Sequence, residues 1–590
     1  MEVRYEYITT DQRLKAVIPE FYTYKIISID TETRSLSPFD PFVLRSIQIA
    51  TNHNFCYVIN AAVVDPRPLK HVLENPKILK LGQNLKFDIG MLKQQCGISV
   101  VNIFDSMLGE RLLSAGLYRK NSLAEIAKKY LGVSLDKTIR KGFIGSTEID
   151  LTEEEIQYAA RDACILFELY PILVDKLKEQ GLWAAAILEN RCVPVFSDME
   201  LAGVLIDIPR WQKLIDKNVL EKDKLTKELE ELAIEASGQQ TIDLFGNITS
   251  GINFRSNQQL VDLFDDLGVD AEDTKESTLV KLDDPFVKKL LEFKEREKSL
   301  NSFGQKFLDL INPITGRIHP SYNQYGADSG RVSANSPNLQ QIPTGSEFRS
   351  CFIAREGYKI ITSDFSGQEL RVLTQLSGEP TYIKAFNNNA DLHAATAAGI
   401  YKISEEEVTK KQRQAAKIIN FTCAYGGGPG KIALSLEITK DEAVEILNRF
   451  YKAIPKLKAW LDKAGKDAFR QGFAETVIGR KRYFVIPDES NEDYNKIKGS
   501  IERQGKNMCI QGASADMIKL ALIGLSKALK KYDARIINCV HDEIVVEARE
   551  DQAEEIAKIV AHEMIKAGEK IISVIPVAVD VHIEDCWSKG

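Results

Sequence analysis

A multidomain fold, α/β at the N-terminal end and α+β after it, is predicted by three observations: chain length, a change of pattern along the chain, and a hairpin near its end. The chain has 590 residues, enough to divide into several domains with sizeable cores. Residues 1–185 alternate apolar strands with helical stretches, as an α/β unit does. From Glu189 to roughly Ile311 the pattern turns helical and highly charged, as in KLIDKNVLEKDKLTKELEELAIEA. Most such charges are solvated helical faces. Residues 238–253 read as a polar, turn-rich loop within that region. In ARIINCVHDEIVVEA, residues 534–548, two β-rich runs flank Val-His-Asp-Glu as the arms of a hairpin flank its tip. The C-terminal sheet is therefore expected to be largely antiparallel.

The first element with chemistry in it is the strand YKIISIDTET, Tyr24 to Thr33, which ends on Asp30 and Glu32. Asn84-Leu85-Lys86-Phe87-Asp88 follows, and then Tyr158-Ala159-Ala160-Arg161-Asp162. Tyr158 and Asp162 are four apart on a predicted helix and so share a face. Carboxylates from three segments can bind two cations and hydrolyse a phosphodiester, with a tyrosine hydroxyl orienting the attacking water. An isolated Asp-x-Glu is ordinarily a pair of solvated acids; the ordered set carries the signal.

A second set of acids lies far downstream. In YKIITSDFSGQELR, residues 358–371, an apolar run delivers Asp364 into a turn, and Asp542-Glu543 sits at the hairpin tip. Carboxylates on strand ends suit Mg²⁺, which takes a few hard oxygen ligands and completes its shell with phosphates and water. Two such ions can activate an attacking oxygen and stabilise a leaving one. Between these acids runs KKQRQAAKIINFTCAYGGGPG, residues 410–430, where Arg413, Lys417, Phe421 and Tyr425 recur every fourth position. Two cations followed by two aromatics suit a helix face that grips a triphosphate and stacks on a base. From the stripe alone, an amphipathic helix with snorkelling cations reads equally well. Gly426 to Gly430 ends that helix.

These segments resemble the three polymerase motifs of family A DNA polymerases, the bacterial DNA polymerase I family. Asp364 through Arg371 is similar to motif A, Arg413 through Gly426 to motif B, and Val540-His541-Asp542-Glu543 to motif C. Ser329-Gly330-Arg331-Val332-Ser333, Pro337 through Pro343, Asp391-Leu392-His393, Gly479-Arg480 and the run from Glu502 to Asp516 fall in the family's order. The N-terminal acids resemble the 3′→5′ proofreading exonuclease of the four-acid superfamily, shared with ribonuclease-D-like enzymes. The resemblance implies a ribonuclease-H-like exonuclease domain over 1–185 and a right-hand polymerase domain over 186–590. In that layout the thumb covers about 189–311, the palm about 312–395 and 476–590, and the fingers about 396–475.

The resemblance also implies roles. Asp364, Asp542 and the Phe365 carbonyl hold two Mg²⁺ ions, with Mn²⁺ as a substitute, and Glu543 assists. Arg413, Lys417 and His393 bind the deoxynucleoside triphosphate, and Lys417 protonates the leaving pyrophosphate. Phe421 and Tyr425 shape the nucleotide pocket, and Glu369 against Tyr425 is the gate that rejects a ribose 2′-hydroxyl. Phe421, where tyrosine is the alternative, implies poor use of dideoxynucleotides. Arg331, Asn507 and Gln511 read minor-groove acceptors of the primer-template, with Arg503 and His541 as further DNA contacts. In the exonuclease, Asp30, Glu32, Asp88 and Asp162 hold a second pair of ions and Tyr158 orients water. The chain departs from the family at Phe365, Gly367 and Gln368, where Tyr, Gln and Ile are usual, and at Thr422 and Cys539, where Gly and Gln are common. A glycine and a polar residue beside the gate are expected to loosen the pocket or alter fidelity.

Composition fits this picture. Net charge is −7, but acidic metal sites coexist with local basic surfaces, and Lys and Arg concentrate around 402–417, 452–470 and 480–506. The nine cysteines are scattered without metal-ligand spacing, which argues against zinc and a disulfide framework. The N-terminus has no signal-peptide core, and no run reads as long enough to span a membrane. The expectation is a monomer in a prokaryotic or virus-infected cytoplasm (or an organelle, if a targeting segment has been removed). Because the exonuclease pattern begins almost at residue 1, a Klenow-like form without a 5′-nuclease domain is expected. Rival readings are a single-subunit RNA polymerase, a nuclease with a decayed polymerase, and a non-catalytic DNA-binding accessory. Glu369, the motif B spacing and two full carboxylate sets argue against all three.

Overall fold

The computed structural model describes residues 3–588 apart from 119, 137, 243–245, 247 and 346, and apart from the side chains of 140 and 141. Its N-terminal unit is a six-stranded sheet built from β1 (Arg4–Ile8), β2 (Ile26–Thr33), β3 (Leu44–Asn52), β4 (Phe55–Asn60), β5 (Leu79–Gly82) and β6 (Ile103–Asp105). The order is β1-β4-β3-β2-β5-β6. β3 runs antiparallel to both neighbours, and the other pairings are parallel. β2 is central and buried on nearly every residue, including Ser28, whose hydroxyl donates to the Ala163 carbonyl at 2.7 Å. Helices α1 (Leu85–Cys96) and α2 (Glu153–Cys164) cover this sheet. α2 starts at a capping box of Thr152 and Glu155, and Glu155 accepts from the buried Arg45 of β3 at 2.6 Å.

Helix α3 (Trp183–Ala202) spans two of the expected boundaries. Twelve of its 20 residues are buried, so it is a core helix rather than part of the charged, exposed region. Ala185, Ala186 and Val193 join the N-terminal core, while Cys192, Val195, Phe196 and Met199 join the C-terminal one. A domain break at 185/186 would cut its first turn, and Glu189 lies inside the molecule, 0% exposed. The charged helical region begins instead with α4 (Ile208–Ser237), which packs against α5 (Pro285–Phe303) through Leu225, Leu229 and Ala233 against Phe286, Leu290 and Phe293. In the loop beyond α4, Thr241–Ile242 pairs with Ile248–Thr249; 243–245 and 247 lie outside the described residues.

The C-terminal sheet comprises β7 (Tyr358–Phe365), β8 (Ala534–Val540), β9 (Glu543–Arg549) and β10 (Val579–Glu584), in the order β8-β9-β7-β10 and wholly antiparallel. Around it lie α6 (Gln368–Ser377), α7 (Leu392–Tyr401), α8 (Lys410–Ala424), α9 (Pro455–Gln471), α10 (Tyr494–Ala528) and α11 (Ala553–Gly568). The expected boundary at 395/396 falls inside α7. That helix is tied to α8 by Asn420, whose amide donates to Thr396 at 3.1 Å. α10 also corrects the membrane reading on length. It is long and apolar enough to cross a bilayer, with mean hydropathy 1.3 over its most apolar stretch, but 72% of that stretch is buried in the protein. It is a core helix.

A buried charge cluster ties α3 to α10 and to the turn that carries Arg480. Arg480 Nη2 lies 2.6 Å from Glu189 and 2.8 Å from Asp516, and Lys519 donates to Glu189 at 2.5 Å and to the Gly330 carbonyl at 2.8 Å. All four charged side chains are 0% exposed. Each cation thus has an anion, as burial requires.

Candidate active sites

β7 and the β8–β9 hairpin bring Asp364 and Asp542 together. Strand register sets Asp364 opposite Glu543, and the Phe365 N–H donates to the Asp542 carbonyl at 3.3 Å. His541, in the tip, has φ +55°, a left-handed conformation uncommon outside glycine. Asp364, Phe365, Glu369, Tyr425, His541 and Asp542 line one cavity of about 400 Å³, which Arg331 and Phe421 also border. Glu543 is placed differently. It is buried and accepts from Arg349 Nη2 at 2.6 Å and Trp587 Nε1 at 2.5 Å, with the Arg349 guanidinium 4.1 Å from the Trp587 ring centre. It is held by these partners and is absent from the cavity lining.

Glu369 stands in the first turn of α6, whose N-cap Gly367 takes φ +62°, a conformation that favours glycine. Its carboxylate pairs with Arg331. Burial first, and then the charge of Glu369, raises the Tyr425 phenol above its ordinary value. The neighbouring Gln368 is buried and donates to the Ser514 carbonyl at 3.1 Å, tying α6 to α10. Phe421 and Tyr425 stack at 6.5 Å with 21° between ring planes.

The cations of α8 lie on its exposed side, after a capping box of Thr409 and Gln412. Arg413 pairs with Asp391, the N-cap of α7. Burial works against ionisation of Asp391, yet Arg413 and the N–H groups of Ala394 and His393 outweigh it and leave its pKa lowered. Burial lowers the pKa of His393, whose Nδ1 lies 3.1 Å from the Asn420 amide and whose ring sits 5.9 Å from Phe421. Arg503, Asn507 and Gln511 recur every four residues along one face of α10, the first exposed and the others half-buried.

The second site is in the N-terminal unit. Asp30 and Glu32 alternate along β2 and therefore share a face; Asp88 comes from α1, and Tyr158 and Asp162 from α2. All five line a cavity of about 470 Å³. Asp88 is 3% exposed and accepts from the Thr31 hydroxyl at 2.6 Å. Burial pushes its carboxyl up to about 7 despite that bond. Tyr158 is raised by burial first and then by the charges of Asp162, Glu32 and Asp30. Among the described residues no three His, Cys, Asp or Glu side chains close into a ready-made cage; like charges that share a site resist ionising together. The donors still fit a hard divalent cation in both cavities, because they are carboxylate oxygens, joined in the first cavity by the Phe365 carbonyl, carried on or beside regular elements.

A family model described as DNA polymerase family A matches residues 221–589. The chain belongs to DNA polymerase family A. A second model, described as 3′-5′ exonuclease, matches residues 5–178 of this family A chain. DNA polymerase I of Pseudomonas aeruginosa is 30% identical over 100% of the chain and 66% of its own length. DNA polymerase I of Aquifex aeolicus is 30% identical over 99% and 100%. The thermostable DNA polymerase I of Thermus thermophilus is 33% identical over 73% and 51%. The chain thus spans under two thirds of some relatives and all of another. The POL domain of Pol1 from M. smegmatis, solved in complex with DNA primer-template and dNTP, shares the fold with a TM-score of 0.85 at 24% identity, covering 99% of both chains.

Several residues that shape the sites were not singled out from sequence. Arg349 and Trp587 secure Glu543 from 194 and 44 residues away, and no local pattern announces such partners. Thr31 was readable as the residue between two acids, but its bond to Asp88 depends on how α1 crosses β2.

Proposed function

We propose that this family A chain extends a DNA primer on a DNA template and excises primer ends 3′→5′ at a separate site. The observation that carries this reading is the pair of separate acid-lined cavities, one of them bordered by the aromatic end of a helix that bears cations on its outer side. In the polymerase cavity Asp364, Asp542 and the Phe365 carbonyl would hold Mg²⁺, or Mn²⁺ in its place. Two such ions, when bound, supply activation of the primer hydroxyl and neutralisation of charge on the phosphates. Arg413, Lys417 and His393 bind the triphosphate, and Lys417 hands a proton to the departing pyrophosphate. Phe421 and Tyr425 receive the base and sugar, with Glu369 occupying the space a 2′-hydroxyl needs. Arg331, Asn507 and Gln511 test the minor groove of the new pair, while Arg503 and His541 steady the primer-template. In the exonuclease cavity Asp30, Glu32, Asp88 and Asp162 would hold the cations and Tyr158 orients the water.

The domain layout we infer is an exonuclease up to the start of α3, a thumb formed by α4 and α5, fingers from α7 to α9, and a palm around the C-terminal sheet. The enzyme works as a cytoplasmic monomer in replication, repair or both. A 5′-labelled primer on a DNA template, with Mg²⁺, tests the proposal. Shortening without nucleotides and growth with all four deoxynucleotides are expected, and chelating the metal stops both. Asp364→Ala should lower extension by about 10³-fold or more while excision continues, and Asp30→Ala should do the reverse. Excision that survives Asp30→Ala, or extension that survives Asp364→Ala, would sink the corresponding half.

A further inference from the structure

On the side of α10 turned away from the polymerase cavity lies a groove of about 570 Å³ between α3, α10, α11 and the turn before Arg480. Its floor is aliphatic: Leu188 from α3, Ile478 from the turn, and Leu520 and Ile523 from α10. Its rim is basic, with Arg191, Lys527, Lys566 and Lys570, all exposed, against one acid, Glu563, which pairs with Lys566 at 3.6 Å. In a chain of net charge −7 this rim is a local reversal of sign. Helical geometry fixes its direction. Ile518 lines the polymerase cavity, and Leu520 lies about 200° further round the helix at about 100° per residue.

We propose that this groove docks an acidic segment of a partner protein that carries apolar anchor side chains. Charge complementarity selects the acidic segment: the rim would steer it in, and the floor would bury its anchors. Nucleic acid is the poorer fit. The described lining residues include no aromatic ring on which a base could stack, and a phosphate backbone would satisfy the rim while leaving the aliphatic floor in water. The position has a functional consequence. Ile478 packs against both the N-terminal and the C-terminal core, so the groove sits on the seam of the two units. A bound segment would tether the enzyme to its partner while both catalytic cavities stay open.

The test uses the full chain and a fluorescein-labelled peptide, Glu-Asp-Glu-Asp followed by Leu-Leu-Phe, read by fluorescence anisotropy. Saturable binding is expected that weakens with salt, and by about tenfold or more in the Lys527→Glu/Lys566→Glu double variant. Ile523→Asn should weaken it as well, whereas primer extension and excision by the charge-reversed variant should match wild type. A peptide with its apolar residues replaced by serine should lose affinity. No saturable binding, or binding indifferent to the charge reversal, overturns the proposal. A single-stranded oligonucleotide that displaces the peptide, and whose own binding falls with the charge reversal but not with Ile523→Asn, also overturns it and assigns the rim to nucleic acid. If Ile523→Asn fails to fold, the charge-reversed variant and the serine peptide decide alone.

Discussion

At Glu369 a single carboxylate meets both the Arg331 guanidinium and the field of the Tyr425 phenol. Its bulk and its charge are therefore separable by substitution. Glu369→Ala should open room for a ribose and lower the preference for deoxynucleotides over ribonucleotides, measured as a ratio of kcat/KM, by about 100-fold. Glu369→Gln keeps the volume and should retain most of the preference, while slower incorporation reports the loss of the Arg331 pair. Equal preference in both variants would mean that charge, not size, sets selectivity. Arg349 presents the opposite case, a residue remote from substrate whose removal strands a buried charge. Arg349→Met should cost about 3–5 kcal/mol, because Glu543 keeps its burial but loses its cation. Thermal melting would show the loss, and excision in the N-terminal unit should survive at temperatures where extension has failed.

Elements carry their own titration. In β5, Lys80 is fully buried and donates to the carbonyls of Asn75 and Ile78 at 2.8 Å each, and burial pushes its ammonium down to about 7. The folded pKa lies below the unfolded one, so between pH 7 and the ordinary lysine value of about 10.4 the unfolded chain binds more protons. Stability from this group rises with pH across that window and is at its least below pH 7. The melting temperature of the wild type relative to Lys80→Met should climb from pH 7 to 10; a flat difference would remove Lys80 as the cause. The neighbouring β2 and the β8–β9 hairpin were legible because each pairs a β-rich run with acids; the structure keeps Asp364 near the end of β7 and Asp542 in the hairpin turn, but places Asp30 mid-strand, since β2 runs on to Thr33. The α8 stripe was legible from its spacing of four. Less legible was α3: its composition declares burial, but Glu189 interrupts it, and only the distant Lys519 and Arg480 explain a carboxylate there. Gln368 likewise looks polar and disruptive in sequence, yet its amide finds the Ser514 carbonyl, a partner 146 residues on.

Across the whole molecule, the Glu189, Arg480, Asp516 and Lys519 cluster ties α3, which packs into both the N-terminal and the C-terminal core, to α10. Glu189→Gln removes the anion that serves both cations and should destabilise the fold by about 3–5 kcal/mol. Calorimetry should then show one transition splitting into two as the units unfold separately; a single transition at the wild-type temperature would contradict that role. The helix that contributes Asp516 and Lys519 to this cluster runs for 35 residues, about 52 Å at 1.5 Å per residue. Along it lie Asn507 and Gln511, then Ser514 and Ile518 of the polymerase cavity interleaved with the buried ions Asp516 and Lys519, and then Leu520 and Ile523 of the rear groove. These are successive readings of one screw. Inserting a single residue after Gln511 would turn everything beyond it by about 100°, carrying Asp516 and Lys519 off their partners and Ile518 off the cavity wall together. This stretch can therefore diverge by exchanging side chains but not by changing its length, so related chains should align through it without a gap.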